Sequence, residues 1–202
     1  ESWASFVGGA PDHGPLPRPR ADDPLYIIHT TGTTGRPKGA VLTQAGMHAA
    51  AAAIAADGDL RVADRGLIVQ PLFHVGAKFL VSAHHLAGAA VLLERQFDPA
   101  RCWTLLQGSG VTTLQLAPAM LQMLLDATPA AAEAPALRSL FYSTGPIREA
   151  LLRRGLTRFG PVFVQHYGST EAGVINTLGR DEHCPDGTAA EQRRLRSAGR
   201  PA

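Results

Sequence analysis

Thr30-Thr31-Gly32-Thr33-Thr34-Gly35-Arg36-Pro37-Lys38-Gly39 decides how the rest of the chain is read. Four threonine hydroxyls, three glycines and a lysine fall within these ten residues. Glycine tolerates positive φ and close backbone approach, so successive N–H groups can turn into one concavity and hold an anion. The hydroxyls add donors and Lys38 adds a point charge, a composition suited to phosphate. The apolar run Leu25-Tyr26-Ile27-Ile28 before the loop reads as a buried strand, and Ala40-Val41-Leu42 after it as a second. A Walker A loop is excluded. That motif needs Gly-Lys followed by Ser or Thr at the start of a helix, whereas Lys38 lies between Pro37 and Gly39.

Outward from this loop, strand-like runs alternate with helical patterns. Thr43 is placed to N-cap a helix over about 44–56, which Asp57-Gly58-Asp59 stops. Strands are expected at 66–70, 89–93, 111–116, 137–143 and 162–167. Helices are expected at 77–86, 98–107, 118–127 and 147–159, the second of these opened by Asp98 as cap and Pro99 at the first helical position. Helical crossovers imply parallel pairing, so the fold class is α/β: a layered, largely parallel sheet with flanking helices. Residues 1–24, rich in Pro, Gly and Arg, read as a linker, 25–179 as the core, and 180–202 as a polar tail in loop conformation.

The totals narrow the function classes. A chain of 202 residues suits one domain or a large piece of one, and a formal charge of +2 gives no argument for nucleic acid. Lys38 and Lys78 are the only lysines. Cys102 and Cys184 have neither metal-ligand spacing nor a disulfide framework, which fits a reducing, cytoplasmic setting. No apolar run reaches membrane-spanning length. The start, Glu1-Ser2-Trp3, lacks the basic n-region of a signal peptide and reads as the interior of a longer chain.

Three further stretches carry chemistry. Val164-Gln165-His166-Tyr167-Gly168-Ser169-Thr170-Glu171 runs from an apolar strand into polar groups, at the strand end where open α/β sheets bind ligands. Tyr167 offers a face for a purine, Thr170 a donor for phosphate, and Glu171 a carboxylate for Mg²⁺. Pro71-Leu72-Phe73-His74-Val75-Gly76 is a turn opening a helix, and Ser143-Thr144-Gly145-Pro146-Ile147 joins a strand to a helix. Lys78, one turn after His74, either snorkels to water or meets a second polar group on a substrate.

In combination these motifs resemble the adenylate-forming superfamily: acyl-CoA synthetases, luciferases and the adenylation domains of peptide synthetases. The ending Ser197-Ala198-Gly199-Arg200-Pro201 is similar to that family's Ser-Val-Gly-Arg-Pro, and the resemblance covers about residues 20 to 202. It implies a fragment of the large N-terminal domain. It also implies ATP-dependent activation of a carboxylic acid to an acyl-adenylate, then transfer to coenzyme A. Thr30, Thr31, Gly32, Thr33, Thr34, Gly35 and Lys38 would embrace the β- and γ-phosphates. Thr30 and Glu171 would position Mg²⁺ and Thr170 would touch the α-phosphate. Tyr167 would stack on adenine beside Gly168 and the backbone of Ser143, Thr144 and Gly145. His74, with the backbone near Gln165 and His166, would border the acyl group. Thr30, Lys38, His74 and Glu171 are the residues expected to matter most for turnover. Histidine at 74, where amino-acid-activating domains have aspartate, favours an uncharged or aromatic acid. Where the family usually shows two glycines this chain has Ser143 and Thr144. The family's completing lysine lies in a C-terminal domain beyond this stretch, so the chain alone is expected to have weak or no activity. Two other readings stay open: a domain that loads a carrier protein, and a non-catalytic nucleotide-binding remnant.

Overall fold

The computed structural model describes residues 3–8, 18–30, 35–129 and 132–202. Thr31, Gly32, Thr33 and Thr34, expected to embrace phosphate, lie outside the described residues. A short helix, α1 (Trp3–Gly8), precedes β1 (Pro24–Thr30) and β2 (Lys38–Thr43), which pair antiparallel as a separate two-stranded sheet. Thr30 lies opposite Lys38 at the open end of that hairpin. The expectation of a buried first strand needs correcting. Ile28 and Leu42 are buried, but Ile27 is 62% and Val41 55% exposed. Alternation explains it: a two-stranded sheet covered on one face turns every second side chain outward.

From α2 (Gln44–Asp57) the chain winds through β3 (Arg65–Ile68), α3 (Val75–Leu86), β4 (Ala90–Leu93), α4 (Pro99–Gly108), β5 (Thr113–Leu116), α5 (Pro118–Asp126), β6 (Ser139–Tyr142), α6 (Glu149–Phe159) and β7 (Phe163–Ser169). The caps are those the sequence indicates. Thr43 Oγ1 accepts from Gly46 N, and Asp98 Oδ1 accepts from Arg101 N at 2.8 Å. Strand order in the main sheet is β4-β3-β5-β6-β7, all parallel. Alternate residues face opposite layers. Leu114, Leu140 and Phe163 pack with Trp103, Leu121 and Leu124 of α4 and α5. Ile68, Phe141 and Val164 pack with Ile54, Phe79 and Leu80 of α2 and α3. Burial on both faces is what holds a parallel sheet.

After β7 the structure departs from the sequence expectation. β8 (Gly173–Leu178) turns back antiparallel on β7, and a 3₁₀ turn at Arg180–Glu182 and α7 (Ala189–Arg194) follow. The two-residue β9 (Arg200–Pro201) then adds to the outer edge of β8. The sheet is therefore extended by two strands: β8 at the end of the stretch read as core, with no strand expected there, and β9 within the 180–202 stretch read as loop. Its local sequence is polar, and the order comes from pairing: a Cβ at Gly199, which has φ +86°, would overlap the Thr177 carbonyl. The end of the parallel sheet is thus closed by antiparallel strands, with the C-terminal ends of β3, β5, β6 and β7 on one edge.

Candidate active site

That edge carries the site. His74 is the N-cap of α3, and its Nδ1 accepts from Gly76 N at 3.2 Å. Accepting a backbone N–H requires an unprotonated Nδ1, so the ring proton sits on Nε2 and is available to the cavity that His74 lines. This cavity, about 200 Å³, brings His74 together with Ser143, Thr144, His166, Gly168 and Thr170. Its inner wall includes Gln115 of β5, whose Nε2 donates to Ser143 Oγ at 3.1 Å and holds that hydroxyl in place.

A wider cavity of about 540 Å³ adjoins it. Thr144, His166 and Gly168 belong to both. Gly145, Gln165 and Tyr167 join them in the wider one, closed on the far side by Leu195 to Ala198. Tyr167 is 54% exposed, so its ring is free to receive a planar group. Thr144 has φ +74°, a left-handed conformation that costs a β-branched residue of the order of 1 kcal/mol or more and that glycine adopts freely. The backbone there is the one the resemblance would give a glycine, held by a threonine.

Thr170 to Ala172 form the turn between β7 and β8. The register shifts between Tyr167 and Gly168, a Cβ at Gly168 would overlap the Gly173 carbonyl, and Gly173 itself has φ +73°. The two glycines let the strands approach closely enough to project Thr170 and Glu171 at the turn. Glu171 is exposed and lines a small hollow of about 100 Å³ with Val41, Leu42 and Thr43 of β2. It therefore stands beside the C-terminal end of β2, in the hairpin whose other end carries Thr30 and Lys38. At the hairpin's end Thr30 Oγ1 donates to the Lys38 carbonyl at 3.4 Å, Lys38 is exposed and Gly35 has φ +77°.

The side chains of His166 and Lys78 make contacts of their own. The His166 side chain is buried, stacks on Phe141 with centroids 5.2 Å apart and meets Asp57 at 3.2 Å, and the residue lines both cavities. Asp57 also accepts from Thr177 Oγ1 at 2.6 Å. Burial opposes its charge, but the bonds from His166 and Thr177 outweigh that and hold the carboxyl below the ordinary value. Lys78 lies 4.0 Å over the Tyr26 ring, in an open groove with Leu72 and Phe73 rather than in the His74 cavity. Sequence reasoning missed the wall formed by 195–198, because nothing local marks a polar helix end as part of a site. It also missed Tyr142 and His183, which lie behind Gln165.

Known proteins show the same arrangement of chain. The sequence is 35% identical, over all of its length, to the fatty acid–acyl-carrier-protein ligase ScoC of Streptomyces coeruleorubidus. It is 31% identical over 95% of its length to the medium/long-chain-fatty-acid–CoA ligase FadD8 of Mycobacterium tuberculosis. It spans 39% and 33% of those two proteins. The inhibitor-bound N-terminal domain of FACL13 from Mycobacterium tuberculosis superposes with a TM-score of 0.85 at 31% identity, covering 98% of this chain and 48% of that one. Residues 2–202 match the family described as AMP-binding enzyme, and the chain belongs to that adenylate-forming family.

Proposed function

We propose that this chain is the nucleotide- and acid-binding part of an ATP-dependent ligase. The reaction joins a carboxylic acid to AMP, releasing pyrophosphate, and then passes the acyl group to the thiol of coenzyme A. The observation that carries the reading is the shared wall of the two cavities: Thr144, His166 and Gly168 separate a pocket bordered by His74 from one bordered by Tyr167. A carboxylate in the first and an adenine in the second would meet where the acyl–phosphate bond must form. Alignment of the attacking and leaving oxygens supplies most of the rate in such a reaction.

In this reading Tyr167 stacks on the base, Thr170 donates to the α-phosphate, and Thr30 to Lys38 hold the outer phosphates. His74 offers its Nε2–H at the acyl pocket. The donor set fits Mg²⁺, which keeps several waters and takes one or two carboxylates plus substrate phosphates. Glu171 and the Thr30 hydroxyl would supply the protein's share. Among the described residues no group of three or more His, Cys, Asp or Glu side chains forms an all-protein cage. When bound, the ion would neutralise charge on the phosphates. The test is titration of the chain with ATP and Mg²⁺ by calorimetry, with pyrophosphate exchange alongside. We expect binding, with exchange far below the rate of a complete ligase, since the family's completing lysine is not among Lys38 and Lys78. Absence of ATP binding would overturn the proposal.

The match to ScoC favours a second reading, in which a carrier protein's thiol is the acceptor. Offering a complete parent enzyme coenzyme A and holo-carrier protein together, and weighing the thioesters by mass spectrometry, separates the two.

A further inference from the structure

Behind the wider cavity three side chains form a line whose protons can be assigned. His183 is buried, and its Nδ1 lies 2.7 Å from the Gly179 carbonyl. A carbonyl only accepts, so Nδ1 carries a proton. His183 Nε2 is 3.0 Å from Tyr142 Oη, and Tyr142 Oη is 2.9 Å from Gln165 Oε1. Tyr142 has one hydroxyl proton for these two neighbours. In a neutral imidazole with Nδ1–H, Nε2 is an acceptor, and the tyrosine proton goes to it. The tyrosine oxygen is then left to accept, and only the NH₂ end of the Gln165 amide can donate to it. The two ends of an amide have the same outline and are assigned by their partners, so here the amide is turned. Its carbonyl oxygen faces the cavity that Gln165 lines. The far end of the amide makes no hydrogen bond to the described residues, so it is free for a ligand.

We infer that His183 and Tyr142 are positioning residues that fix the Gln165 amide with its oxygen toward the base, so that the site selects a 6-amino purine over a 6-oxo purine. This rests on the nucleotide reading above. A carbonyl oxygen accepts from an exocyclic amine and repels an oxo group, and a buried polar site rejects a partner that leaves it unpaired. Surroundings favour the neutral ring. Burial between Tyr142 and Phe163 pushes the His183 imidazole below its ordinary value, against the opposing pull of Glu182 and the Gly179 carbonyl. A protonated His183 would reverse the line: Nε2–H to tyrosine, tyrosine to the Gln165 oxygen, and NH₂ to the cavity.

The chain is titrated with ATP and with ITP, each with Mg²⁺, at pH 7.5. The expected preference for ATP is ten- to a hundredfold. Tyr142→Phe frees the amide to rotate and is expected to shrink the ratio at least fivefold. Adding Gln165→Glu, which has an acceptor at both ends, is expected to restore it; a role in stability alone would leave the ratio unmoved. Equal binding of ATP and ITP by the wild type, or an unchanged ratio in Tyr142→Phe, overturns the inference while the nucleotide reading stands. Binding of neither nucleotide overturns that reading, and the inference with it. Should Tyr142→Phe fail to fold, nitrogen-15 imidazole spectra of the wild type decide: a protonated His183 Nε2 at pH 7.5 overturns the inference.

Discussion

The parallel strands β3 to β7 and the β1–β2 hairpin both present residues to the candidate site, but they are held by different means. Leu67, Leu114, Leu140 and Phe163 have no exposed surface, with helices on both faces of their sheet. The hairpin has two strands, one covered face, and Ile27 and Val41 turned outward. Two strands alone are marginal in water and need packing from elsewhere, here from α2, where Met47, Ala50 and Ile54 share a core with Ile28 and Leu42. In the proposed reading the buried sheet would set where base and acid sit, while Thr30 and Lys38, proposed for the outer phosphates, ride on the more weakly anchored hairpin.

Substitutions can break this contrast, and the largest effect belongs to the sheet side. Trp103 is 1% exposed, donates from Nε1 to the Leu124 carbonyl at 2.9 Å and stacks on Phe159. Trp103→Ala should cost about 3–5 kcal/mol in chemical denaturation. Glu171→Gln should leave the unfolding midpoint unchanged and weaken Mg·ATP binding about tenfold, or ~1.4 kcal/mol, measured by calorimetry. Weakened stability with unchanged binding would move Glu171 from the site to the scaffold.

Acid sharpens the comparison further. Asp57 joins α2 to β7 and β8, and its folded-state pKa is depressed below the ordinary value of 3.8. Its stabilising contribution is therefore present above about pH 4 and lost as pH falls through the folded value. Asp57→Asn should flatten the acid limb of stability against pH, read by circular dichroism. Thr144→Gly should stabilise the fold by about 1 kcal/mol by relieving the positive φ, offset in part by the added freedom of the unfolded chain. The smallest effect is expected on the hairpin's open face, where Ile27→Thr should change stability by less than about 0.5 kcal/mol.

Sequence alone carried the alternation of strand and helix, the caps at Thr43 and Asp98, and the family, because these depend on local periodicity, on side chains reaching their own backbone, and on motifs read in order. It carried the candidate residues His74, Tyr167, Thr170 and Glu171 for the same reason: their spacing sits at strand and helix ends that local pattern defines. It did not carry β8 or the joining of β9 to it, since antiparallel closure depends on Gly168, Gly173 and Gly199 allowing backbones to meet, which is a property of the partner strand. Nor did it show that His166 would spend its side chain on Asp57, 109 residues away, or that Tyr142 and His183 would stand behind Gln165. Those pairings exist only once the sheet has brought distant strands into register, so tertiary structure alone decided them.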